Sequence, residues 1–137
     1  MKKHIINFLL ICLMLLNFSI AYAKMIEGDD GLYYRDGNPN LLVIDNGNRF
    51  YTVADLKSAW LDFRSQGNII VVFNSYTISF ESEDIIYRNT DMLIEEIKTG
   101  TVYFNGYVWC QKYETEYPYK QRRQAYAKLK NAAQNNR

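Results

Sequence analysis

The chain has 137 residues, 48% hydrophobic and 15% aromatic, with 16 basic and 15 acidic side chains. That length admits one small domain and excludes a two-domain nucleotide-dependent enzyme or a (β/α)8 barrel, which needs roughly 250 residues. The hydrophobic content excludes a disordered tail, and the near-neutral charge argues against a nucleic-acid partner.

The chain opens with Met1-Lys2-Lys3, continues apolar from Phe8 through Leu16, and reaches Ala21-Tyr22-Ala23 before Lys24. This order of basic start, apolar run and small residues at −3 and −1 predicts a signal peptide over residues 1–23, removed after Ala23. The apolar run is shorter than the roughly 20 residues that span a bilayer. Cys12 follows bulky Ile11, which does not suit a lipoprotein site. The expected product is one small domain over 24–137, periplasmic or secreted, of bacterial type. Loss of the leader removes His4, the one histidine, and leaves Cys110 as the one cysteine. A lone thiol in an oxidising compartment is expected to be buried, with an intermolecular disulfide as the alternative.

Along the domain, Leu32–Arg35 reads as a strand that leads through a turn-rich loop into a hairpin. Its strands are Leu41–Ile44 and Arg49–Thr52, joined at Asp45-Asn46-Gly47-Asn48. Val53, Leu56, Trp60 and Phe63 recur at helical spacing behind Thr52, which predicts a helix ending near Gly67. Asn68–Phe73 is an apolar β-branched run suited to a central strand. Asn74-Ser75 is expected to turn it into a second strand, Tyr76–Phe80. Asp84–Tyr87 suggests another strand and Asp91–Lys98 a short helix stopped at Gly100.

Asn105-Gly106 then joins Thr101–Phe104 to Tyr107–Cys110 through a type I′ turn, with Phe104 opposite Tyr107 and Val102 opposite Trp109. Cys110 would lie on the other face, hidden by a packed helix. The last segment predicts a helix capped by Thr115, with Tyr119, Tyr126, Leu129 and Ala133 along one stripe. The expected fold is α+β: a mainly antiparallel sheet of about five to seven strands with two or three helices, including a basic C-terminal one.

Charge is distributed unevenly. Residues 24–118 carry a net −7, and residues 119–137 carry +6 with no acid. The plain reading of Lys120, Arg122, Arg123, Lys128, Lys130 and Arg137 is a solvated helix packed on an acidic body. The functional reading adds Tyr113, Tyr117, Tyr119 and Tyr126, interleaved with Lys120, Arg122 and Arg123, as a surface for a partner.

Without histidine, Ser-His-Asp and Cys-His catalysis and His-rich zinc sites are excluded for residues 24–137, and no phosphate-loop motif occurs. Carboxylate chemistry remains open, because Glu27, Asp29 and Asp30, Glu81, Glu83 and Asp84, and Glu95 with Glu96 cluster in sequence. Neither Glu27–Gly31 nor Asp45–Asn48 matches a twelve-residue calcium loop. The expected function is therefore non-enzymatic and needs no cofactor or metal: a small exported protein of inhibitor or immunity type that binds another secreted or periplasmic macromolecule. A protein partner comes first, and a glycan or anionic surface second. The competing readings are a small carboxylate-dependent glycan hydrolase and a self-associating structural subunit.

Overall fold

The computed structural model describes residues 25–136, so the expected signal peptide at 1–23 lies outside the described residues. Nine strands form one antiparallel sheet: β1 (Met25–Glu27), β2 (Tyr33–Arg35), β3 (Leu41–Asn46), β4 (Phe50–Asp55), β5 (Trp60–Asp62), β6 (Asn68–Ser79), β7 (Ile85–Glu96), β8 (Thr101–Phe104) and β9 (Tyr107–Cys110). A 3-10 turn at Leu56–Ser58 and one α-helix, α1 (Tyr119–Asn135), complete the described residues. Among the described residues sheet dominates and α-helix is confined to the C-terminus, which corrects the expectation of five to seven strands and two or three helices.

The β6–β7 hairpin, twelve residues on each side, is the spine. One half of β6 pairs with β4 and the other half with β5. Beyond β4 the order runs to β3, β2 and β1; beyond β7 it runs to β8 and β9. Leu42, Ala54, Val71, Phe73, Leu93 and Val102 point from the sheet toward Ala125, Tyr126, Leu129 and Ala133 of α1. Burial of these side chains is the main force holding helix to sheet. A second cluster, Tyr51, Val53 and Ile78, lies on the opposite face and is packed by Leu41, Val43 and Phe80 among others. Helix α1 touches β3 as well as β5, β6 and β9. Contact with both β3 and β9, far apart in strand order, requires the sheet to curl around the helix.

Two expected helices are strand. Thr52–Asp55 completes β4 between β3 and β6, with Val53 opposite both Val43 and Tyr76. Asp55 caps only the 3-10 turn, where its carboxylate accepts from the Lys57 amide at 3.1 Å. Val53 and Leu56 are buried in different places, whereas Trp60 and Phe63 are exposed, so the helical spacing marks no common face. Residues 91–96 continue β7 because β6 offers them a full antiparallel ladder, and long-range pairing outweighs local helix preference.

Asn74 and Ser75 do not turn the chain either. Both sit within β6, where the buried Ser75 hydroxyl donates to Asp91 Oδ2 and is thereby satisfied.

The Asp45–Asn48 and Asn105-Gly106 hairpins form where expected. In the second, a bulge pairs Val102 with Cys110 rather than Trp109, and Phe104 does face Tyr107. Trp109 and Cys110 are both buried. Cys110, 1% exposed, belongs to the core cluster shared with α1, and burial pushes its thiol up to about 11.

Helix α1 begins at Tyr119 after Pro118, so Thr115 does not cap it, although Tyr126, Leu129 and Ala133 do form the buried stripe. Among the described residues no helix is long and apolar enough to cross a membrane.

Candidate functional site

The first turns of α1 and the curl of the sheet enclose a cavity of about 500 Å3. Its size falls within the range of ligand sites, roughly 300–1,000 Å3. One wall comes from β2 and β3 and includes Tyr33, Val43, Ile44, Asp45 and Asn46. The other comes from Trp109, Tyr117, Gln121, Arg122 and Ala125. Aromatic and aliphatic surface predominates, with a few polar groups set into it.

Arg122 is the fixed element of this cavity. Its Nη1 donates to the Trp109 carbonyl at 3.2 Å. Its guanidinium carbon stands 5.8 Å from the centre of the Trp109 ring and 5.3 Å from that of Tyr119, within cation–π range of both. These contacts hold the guanidinium in place and leave other donors for a ligand. Among the described residues it forms no ion pair. Among the described residues Asp45 is the one acid on the cavity wall.

No family model matches the chain, and no curated protein or solved structure is significantly similar to it.

The structure divides the seven residues expected to meet a partner. Tyr117 and Arg122 line the cavity, and Tyr119 supports Arg122 from the side. Tyr113 is 80% exposed beneath Lys112, whose Nζ lies 5.6 Å from the ring centre, and Lys120 is exposed on the first turn of α1. Arg123 is bound to the Lys112 carbonyl at 2.9 Å. Tyr126 is no surface residue: it is buried in the core, and its hydroxyl donates to Glu95 Oε1 at 2.6 Å.

The other basic residues of α1 agree with a helix packed on an acidic body. Lys128 pairs with Asp30 at 2.6 Å and Lys130 with Glu95 at 3.1 Å. Arg137 lies outside the described residues.

One acid of each sequence cluster, Asp30, Glu83 and Glu95, has a structural partner. Burial alone would raise the Asp30 carboxyl, but hydrogen bonds from Lys128, Tyr34 and the Leu32 amide outweigh it and hold the group at about 2. Glu83 accepts from the Tyr51 hydroxyl at 2.9 Å. Burial, reinforced by that carboxylate, pushes the Tyr51 phenol well above its ordinary value. Among the described residues no group of three or more His, Cys, Asp or Glu is placed to hold a metal ion.

Tyr33, Val43, Ile44 and Trp109 escaped the sequence reading. Strand alternation marked them only as members of strands, and no local pattern shows that a curled sheet brings β2, β3 and β9 to one helix end.

Proposed function

We propose that this protein is a small exported binding protein of inhibitor or immunity type, and that it works by admitting a projecting acidic group of a partner protein into the cavity beside α1. The observation that carries this reading is Arg122, a guanidinium without an ion pair among the described residues, held against two aromatic rings on the wall of a largely apolar cavity. A guanidinium fork so positioned suits a carboxylate, and the exposed Tyr33 and Tyr117 beside it offer aromatic contact area of the kind that dominates binding hot spots. A glycosidase needs two carboxyl groups across its cleft, and among the described residues this cavity is lined by one, Asp45.

The test is affinity capture from periplasmic extract and culture fluid, using purified wild type and three single variants. Gln121→Glu places a negative charge beside Arg122, Tyr117→Ala removes an exposed wall, and Tyr113→Ala alters an exposed ring that is not among the cavity-lining residues. The expected result is one protein partner held by wild type and Tyr113→Ala and lost with the other two. Equal retention by all four would refute the site, and no partner for wild type would refute the binding function.

A further inference from the structure

Most sheet edges in this protein are short: β1 and β5 have three residues and β9 has four. The N-terminal half of β7 differs. Strand β8 pairs with β7 only over Leu93–Glu96, so from Ile85 to Met92 the side of β7 turned away from β6 has no backbone partner among the described residues. Ile86, Tyr87 and Met92 are 51%, 61% and 47% exposed there, and Arg88, Asn89 and Thr90 are exposed as well. Sheet edges are ordinarily blunted by charge, proline, bulges or brevity; this stretch has no proline, carries two charges, Arg88 and Asp91, and a bulge at Ile86, and runs for eight positions. That bulge, between the pairs Thr77–Tyr87 and Ile78–Ile85, leaves Tyr87–Met92 as the regular part of this edge, and in a twofold pair it lies at both ends of the contact.

We propose that this edge pairs with the same edge of a second copy, antiparallel about a twofold axis through Asn89. The symmetry decides the register. An antiparallel pair related by a twofold perpendicular to the sheet keeps each residue on its own face, so facing positions must sum to an even number. Centring on Arg88 would set two guanidinium groups against each other. Centring on Asn89 spans the free stretch and opposes no like charges: Arg88 faces Thr90 of the second copy, Tyr87 faces Asp91, and exposed Ile86 covers exposed Met92.

The pairing joins two nine-stranded sheets edge to edge. It buries less than the roughly 800 Å2 per partner of a standard interface, so the dimer is reversible and forms at micromolar concentration or above.

Sedimentation equilibrium on the purified protein tests the contact, with Thr90→Glu and Thr90→Lys beside wild type. Both variants lose the same weak hydroxyl bond to Asn74 Oδ1 at 3.3 Å, so that loss cancels between them. In the Asn89-centred register Glu at 90 meets Arg88 of the second copy twice per dimer, and Lys repels it twice. Thr90→Glu is expected to dimerise about tenfold more tightly than Thr90→Lys, with wild type between them. Asn89→Cys is expected to form a disulfide-linked dimer under mild oxidation, while Asn74→Cys, inside the sheet on β6, does not. A wild type that stays monomeric at about millimolar concentration, or equal dimerisation of the two Thr90 variants, would overturn the proposal. So would a monomer whose edge takes up a strand of a different protein.

Discussion

Tyr126 offers the sharpest test of how α1 is fastened to the sheet. Its ring fills the core, and its hydroxyl gives a 2.6 Å bond to Glu95 Oε1, which also accepts from Lys130 Nζ at 3.1 Å. Burial, reinforced by that carboxylate, drives the phenol far above its ordinary ionisation range, so it is a donor at neutral pH. Tyr126→Phe keeps the ring and removes only the donor. A hydrogen bond to a charged group contributes about 1.5–3 kcal/mol, and the lower end applies because Lys130 stays on the same oxygen. With a urea dependence of about 1–3 kcal/mol per molar, the unfolding midpoint should fall by roughly 0.5–1.5 M. Tyr113→Phe, at an exposed ring, should leave the midpoint unchanged. A Tyr126→Phe midpoint equal to wild type would show that the bond to Glu95 does not hold helix to sheet.

Three further outcomes follow from the same packing. Asp30 titrates below its unfolded value, so its contribution is present above about pH 4 and is lost as pH falls toward 2. Asp30→Asn should remove about 1 kcal/mol at neutral pH, after discounting for its partial exposure, and flatten the acid limb of the stability profile measured by urea unfolding. Cys110 should resist thiol reagents until the protein unfolds, and should form no interchain disulfide on a non-reducing gel, because it is buried and its thiol is pushed up to about 11. Asn136 donates from Nδ2 to the carbonyls of Leu56 at 2.8 Å and Ala59 at 2.9 Å, tying the end of α1 to the 3-10 turn. Asn136→Ala should therefore lower stability by about 1–3 kcal/mol in thermal unfolding.

What the sequence disclosed was local. Asn105 and Gly106 both adopt positive φ, 51° and 81°, as the tight hairpin requires, and that dipeptide could be read directly. The buried stripe of α1 was legible for a similar reason, since Tyr126, Leu129 and Ala133 share one helical face.

Residues 52–67 misled because a spacing of three or four also arises when a strand, a 3-10 turn and a second strand follow in succession. Val53 then faces the side away from α1, while Leu56 joins the cluster beneath α1. Residues 91–98 misled because only the long partner strand β6 makes Met92, Leu93 and Ile94 an alternating series. The cavity is a product of sheet curl. Tyr117 and Arg122 were accessible to charge and aromatic patterning, but Tyr33, Val43 and Trp109 reach them only through tertiary structure.

The central claim is that recognition takes place in the concavity beside α1. Calorimetric titration of the captured partner against the Tyr117→Ala and Lys120→Ala variants tests it most directly. The account predicts a dissociation constant at least about tenfold weaker for Tyr117→Ala, the equivalent of about 1.4 kcal/mol, with Lys120→Ala close to wild type. Unchanged affinity for Tyr117→Ala with a marked loss for Lys120→Ala would place recognition on the outer basic surface of the helix and contradict it.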